Sequence, residues 1–221
     1  MLIVTDLGTM PYREVWELQK KLQEKLIALR GEKEADEYLL LVEHPPVYTL
    51  GFHGQAANML LSEDVLASRG IDFIRIERGG DITYHGPGQL VAYPIIDLSR
   101  HGLGVKDYIS LLEEAVIQSV SKYGIEGERV DGATGVWIGK GTSRERKICA
   151  IGVKCRRFTT MHGLALNVNT DLSYFQAINP CGFVDKGVTS IAAEIGGKVD
   201  MKEVKEYFSH LFQTLLFSDQ Q

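Results

Sequence analysis

Arg78-Gly79-Gly80-Asp81-Ile82-Thr83-Tyr84-His85-Gly86-Pro87-Gly88-Gln89 is the stretch on which the fold reading turns. It lies between two apolar runs of strand length, Ile71–Ile76 and Leu90–Ile96. Four glycines and a proline disfavour a helix there, so the chain passes from one strand to the next without a crossover helix. Working outward, Leu2–Leu7 reads as a strand, and Pro11 opens a helix with Val15, Leu18, Leu22, Leu26 and Leu29 on one stripe, ending at Gly31. Lys33–Glu37 is a charged loop. Tyr38–Val42 is a continuous apolar strand expected to be buried on both faces, and Pro45-Pro46 breaks it. Ser62 caps a short helix that ends at Gly70. Downstream, Lys106–Tyr123 is an amphipathic helix stopped by Gly124. Strands follow at Gly135–Ile138, Lys147–Cys155 and Leu164–Val168. A last helix opens with Asp200 and Glu203 as a capping box. Strands outnumber helices and several meet at glycine turns. The expected fold is therefore α+β, a mixed β-sheet with a few packed helices. No Pro/Gly/Ser linker divides residues 1–221, so one domain is expected.

Composition narrows the class. The chain has 221 residues, 44% apolar and 24% charged, which excludes disorder, collagen-like repeats and a coiled-coil rod. Its net charge of −5 argues against broad nucleic-acid binding. The apolar runs are strand-sized, far short of the roughly 20 residues of a membrane span. Met1–Asp6 lacks the basic start of a signal peptide. Three cysteines, Cys149, Cys155 and Cys181, make no disulfide framework and point to a reducing, cytoplasmic setting.

Three segments carry chemistry. The first is Arg78–Gln89 itself: its glycines let backbone approach a ligand, and its amides can hold a carbonyl or phosphate oxygen. An ordinary Gly-rich hairpin reads equally well. No dinucleotide or P-loop spacing is present. The second is Asn179-Pro180-Cys181-Gly182-Phe183. Cys181 sits in a turn, whereas Cys149 and Cys155 sit in an apolar strand and read as core thiols. Cys181 is thus the nucleophile candidate, although a thiol with a pKa near 8.5 needs a cation or base beside it. An unreactive turn cysteine is the plainer alternative. The third is Arg146–Lys154, where Lys147 opens an apolar strand and, alone, reads as a solvated strand-end lysine. His44, His53, His85 and Cys181 lack the short spacing of a zinc site, so no metal is expected. Arg144, Arg146, Lys147, Lys154, Arg156 and Arg157 put six cations within fourteen residues: a solvated face, or a docking patch for an acidic carrier.

Taken together, and in this order, the segments resemble the lipoate-biosynthesis octanoyltransferases. The likeness runs from Glu43-His44-Pro45 to Ser190 and is densest in Arg78–Pro94, Lys147–Val153, His162–Asn169 and Asn179–Phe183. It implies the α+β fold of biotin and lipoate protein ligases. It implies octanoyl-acyl carrier protein as donor, and as acceptors the lipoyl domains of 2-oxoacid dehydrogenase E2 subunits and the glycine cleavage H protein. No cofactor is implied. By the same resemblance Cys181 carries the acyl group as a thioester and Lys147 tunes it. Arg78, Gly79, Gly80, Asp81, Ile82, Thr83, Tyr84, His85, Ala150, Ile151, Gly152, Gly163, Leu164 and Ala165 hold the acyl chain. The chemistry agrees: a thioester is already activated, and an ammonium about 4 Å from a thiolate is worth roughly 4 kcal/mol at an effective dielectric of 20. Gly80, Gly152 and Gly163 would wall an apolar slot because they lack side chains. The rival is an ATP-dependent lipoate or biotin ligase, which shares the fold and a lysine near Lys147 but needs no cysteine at 181. A non-catalytic acyl- or carrier-binding module and a cysteine hydrolase are more distant alternatives.

Overall fold

The computed structural model describes residues 1–32, 35–179 and 187–218. In chain order the elements are β1 (Leu2–Thr9), α1 (Tyr12–Ala28), β2 (Glu37–Glu43), β3 (Val47–Leu50), α2 (Glu63–Ser68), β4 (Asp72–Arg75), β5 (Ile82–His85) and β6 (Gln89–Ile95). Then come α3 (Val105–Ser121), β7 (Glu128–Val130), β8 (Ala133–Ile138), β9 (Arg146–Arg156), β10 (Thr159–Asn167), β11 (Gly187–Val188), α4 (Ile191–Ile195) and α5 (Met201–Phe217). The main sheet runs β1-β2-β6-β10-β9-β8-β7, with β11 beside β9, and β4-β3-β5 form a second, small sheet. In the main sheet β1–β2 and β11–β9 are parallel and the other pairs antiparallel. This is the expected mixed α+β architecture.

Strand periodicity of two divides the core. Leu39 and Leu41 of β2, Leu90 and Ala92 of β6, and Leu164 and Leu166 of β10 meet α3 and α5 on one face. Their neighbours Leu40, Val42, Val91, Tyr93 and Ala165 face the other way, toward Tyr12, Val15 and Leu26 of α1 and Ile74 of the small sheet. Both faces are covered, which is why β2 and β6 read as unbroken apolar runs. Each fully buried leucine on these faces adds about 1.5–3 kcal/mol relative to exposure.

The structure departs from the sequence reading in particular places. β3 and β5 are four-residue strands, one directly after Pro45-Pro46 and one inside the glycine-rich stretch, where no periodicity has room to show. β7, β11 and α4 are also short, with three, two and five residues. β10 begins at Thr159 rather than Leu164, because α1 shelters its polar start. Gln23 Nε2 donates to Thr159 O (2.9 Å), and His162 N donates to Gln19 Oε1 (2.9 Å). Asp200 caps α5 through Lys202 N, but Glu203 pairs with Lys122. Cys149 is buried as expected, whereas Cys155, near the end of β9, is exposed and not a core thiol.

Candidate active site

The β9–β10 ladder sets Ala150 opposite Ala165, Ile151 opposite Leu164 and Gly152 opposite Gly163. Two of the expected acyl-binding segments are therefore one patch of sheet. The third lies across it: Gly79 N donates to Val153 O (3.1 Å), which seats the Arg78–Gly80 segment on β9. Between them is a cavity of about 320 Å³. Ile82, Val91 and Ala165 give it apolar walls, and Ile151 and Leu164 border it although Leu164 turns its side chain to the α3 and α5 face. Lys147, Trp137, Thr134 and Val188 line one end, and Tyr12, Arg78, His85, Tyr93 and His162 also line it.

The glycines stand there for a reason other than the expected one. A Cβ on Gly163 would meet Ala92 O at 2.1 Å, and one on Gly152 would meet Gly79 O at 2.8 Å. They admit neighbouring backbone, and the slot follows from that approach. Gly79 and Tyr84 do not line the cavity. Gly79 ties the loop to β9, and Tyr84 turns into the small-sheet core, where it stacks on Tyr174 with ring centroids 4.6 Å apart.

Lys147 lies half-buried over the Trp137 ring (4.5 Å to its centroid) and donates to Thr134 O (3.1 Å). A cation over an indole face is attracted by the ring quadrupole. Its backbone is fixed by β11: Val188 pairs with Lys147, and Thr189 N donates to Lys147 O (2.9 Å). A buried chain of hydrogen bonds reaches that point from the opposite side. His85 Nδ1 donates to Gln89 Oε1 (2.8 Å), Gln89 Nε2 to Asn167 Oδ1 (2.9 Å), and Asn167 Nδ2 to Thr189 O (2.9 Å).

The other polar residues are closely packed and low in charge. Arg78 Nη2 donates to Thr49 O (2.9 Å) and Thr49 Oγ1 (3.0 Å). Tyr12 stacks on His85, and Tyr93 O–H donates to His44 Nε2 (2.8 Å). Burial pushes the pKa of His44 down to about 4. Burial, with the charges of Arg78 and Lys154, takes His162 down to about 3. Burial and neighbouring His44 hold His85 well below the usual range. All three rings are neutral at pH 7. Burial also drives the Cys149 thiol far up, so it is no nucleophile.

This arrangement is a slot with apolar walls, the Lys147 ammonium and the Arg78 guanidinium in its lining, and neutral histidines beside them. Residues 11–213 match the family described as the lipoyl protein ligase A/B catalytic domain. The chain belongs to that family. An octanoyltransferase of Bacteroides fragilis is 54% identical over 205 residues, 92% of this chain and 93% of its own length. An octanoyltransferase of Parabacteroides distasonis is 51% identical over 213 residues, 95% and 96% of the two chains. Among solved structures, a bi-partite lipoate protein ligase from Thermoplasma acidophilum matches with a TM-score of 0.70 at 19% identity. It covers 97% of this chain and 82% of that one, and the likeness carries the fold alone.

In this lipoyl ligase A/B domain, Cys181 lies outside the described residues, with Pro180 and Gly182–Lys186. Before that segment, Asn179 N donates to Asn58 O (2.8 Å), and Asn58 Nδ2 donates to Asp81 of the cavity wall (2.5 Å). After it, Gly187 and Val188 form β11 beside Arg146 and Lys147. The basic run is not one patch. It spans an eleven-residue strand, roughly 35 Å long at about 3.3 Å per residue. Arg146 pairs with Glu194 and Lys154 with Glu77, while Arg144, Arg156 and Arg157 are exposed near opposite ends. Tyr12, Tyr93, Trp137, Asn167 and His162 belong to the site but were not singled out from sequence. The signal for Tyr93 and His162 was a polar group inside a strand that is otherwise buried. No helix among the described residues is long and apolar enough to cross a membrane.

Proposed function

We infer that the protein is an acyltransferase of lipoate biosynthesis that moves an octanoyl group onto a lysine of a lipoyl domain. The donor is octanoyl-acyl carrier protein, the acceptors are lipoyl domains of 2-oxoacid dehydrogenase E2 subunits and the glycine cleavage H protein, and the setting is the reducing cytoplasm. Residues 1–221 act as one catalytic unit. The observation that carries the reading is an apolar slot with Lys147 at one end, lined by twelve of the fourteen residues expected to hold the acyl chain. It occurs in a chain about half identical to octanoyltransferases over nearly its whole length.

The chemistry runs in two steps. The Cys181 thiolate attacks the thioester carbonyl of the donor, and the carrier thiolate leaves, taking a proton from the Lys147 ammonium. The acceptor amine then attacks the acyl-cysteine, forming the amide and releasing the Cys181 thiolate, while neutral Lys147 takes the amine proton. Protons and leaving groups balance without ATP. Two features support the pairing of Cys181 with Lys147. Asn179, two residues before the cysteine, is tied to the cavity wall, and Val188, seven residues after it, pairs with Lys147.

The test is intact mass measurement after mixing the protein with octanoyl carrier protein in the absence of ATP. One octanoyl group should appear, should map to Cys181, and should pass to a lipoyl domain added next. Cys181→Ser should neither load nor transfer. Transfer that requires ATP, or full activity of Cys181→Ser, would refute the covalent reading.

A further inference from the structure

We propose that His162 is the stop that sets the length of acyl chain the cavity accepts. The inference rests on the transferase reading above and deepens it. His162 interrupts β10 with a φ of 61°, in the left-handed region that side chains other than glycine seldom adopt. The residue is 1% exposed and lines the cavity, yet among the described residues neither ring nitrogen has a hydrogen-bond partner. A buried imidazole with two unmet groups is a polar surface at the end of an apolar slot.

The spacing fits one particular chain. Lys147 lies along β9: a Cβ on Gly135 would be 3.4 Å from its Cε, and its Nζ reaches Thr134 O at 3.1 Å. Val136 pairs with Cys149, so continuing that register puts Thr134 level with Ile151. His162 pairs with Val153, two residues further on, and sits on β10 across β9 from β8. Two residues at about 3.3 Å and two strand spacings at about 4.8 Å give a diagonal of roughly 12 Å between the backbone at Thr134, where the ammonium is held, and the backbone at His162. The seven carbon–carbon bonds of an octanoyl chain, at about 1.5 Å each, span at most about 10 Å. With its carbonyl beside Lys147, an octanoyl chain reaches His162 and stops. Two further methylenes would have to enter the space of the ring or lie against its unmet nitrogens, where an apolar group gains nothing.

The test is a donor series on the intact chain. Hexanoyl-, octanoyl-, decanoyl- and dodecanoyl-carrier protein are offered with a lipoyl-domain acceptor, and kcat/KM is read for each. The wild type should favour octanoyl over decanoyl at least tenfold. His162→Gly, which suits the positive φ and removes the ring, should bring that ratio close to one. His162→Asn, which also tolerates the left-handed region, should fall between. A wild type that uses dodecanoyl as well as octanoyl overturns the proposal without any variant. So does an unchanged decanoyl-to-octanoyl ratio in either folded variant. Failure of the wild type to transfer octanoyl at all would instead refute the transferase reading.

Discussion

Gly163→Ala is the substitution whose cost the structure specifies most directly. The new Cβ would stand 2.1 Å from Ala92 O and 2.9 Å from Pro94 Cδ. Neither atom belongs to a flexible side chain that can swing away. Ala92 is held in the ladder with Leu164 on one side and Leu41 on the other, so its carbonyl cannot retreat to the 3.4 Å of an ordinary contact without parting β6 from β10. Overpacking of this kind costs about 1–3 kcal/mol, and each ladder hydrogen bond lost adds about 0.5–1.5 kcal/mol. With two ladder bonds lost, a total of about 2–6 kcal/mol is expected. At about 2–4 °C per kcal/mol for a chain of this length, the melting temperature should fall by roughly 10 °C. Gly79→Ala is the matched control, because its Cβ would meet only Val153 O at 3.5 Å and its φ is not positive. It should stay within about 0.5 kcal/mol of wild type. Thermal unfolding followed by circular dichroism measures both. A Gly163→Ala variant that melts within about 2 °C of wild type would refute the argument that the slot is shaped by backbone approach.

Acid should unfold the protein through His44, His85 and His162. The unfolded chain binds their protons near pH 6.5 and the folded chain does not, with His44 held at about 4 and His162 at about 3. Stability is therefore complete above about pH 6.5 and falls toward pH 4 by up to about 1.4 kcal/mol per unit for each ring, and equal urea midpoints at pH 7 and pH 5 would contradict this. Lys147→Ala should slow both alkylation of Cys181 by iodoacetamide and acyl transfer. Lys147→Arg should alkylate nearly normally yet transfer about 10²–10⁴-fold more slowly, since guanidinium keeps its proton, and normal transfer by the arginine variant would remove Lys147 as the base.

How much of this was legible beforehand follows from the range of the interactions. The continuous apolar runs Tyr38–Val42 and Leu90–Ile96 are local signals, and β2 and β6 stand where they put them. α1 and α3 likewise follow their stripes. β5 was hidden because its four residues sit between glycines and its partner β3 is as short. The acyl-binding segments were picked out by resemblance, but their reciprocal pairing, Ala150 with Ala165 and Gly152 with Gly163, depends on the β9–β10 register. That register is set by where the chain turns after Arg156, not by either segment alone. Gly80, Gly152 and Gly163 line the cavity, but the backbone approach that two of them admit is equally invisible in sequence. From sequence a glycine in a binding segment suggests space for ligand, whereas Gly163 is filled by Ala92 O and Gly152 by Gly79 O.

The same logic explains why the remaining site residues were silent. Asn167, Thr189 and Gln89 are ordinary polar residues until the fold joins them in one line of hydrogen bonds ending at the Lys147 carbonyl. That line gives β11 its importance. With only two residues it has no periodicity to detect, yet it fixes the chain just after the Cys181 segment against the strand that bears Lys147. On the proposed mechanism, a nucleophile and base thirty-four positions apart (181 − 147) need a connection that neither residue can supply. The chain is tied to the cavity wall at Asn179 and returns beside Lys147 in β11, which supports the proposed pairing. Lys147 is consequently held from both directions, by Trp137 and Thr134 at its ammonium and by Thr189 at its backbone, and it lines the cavity. On the proposed mechanism, a lysine held in this way would give up a proton when the carrier thiol leaves and recover one when the acceptor amine forms the amide.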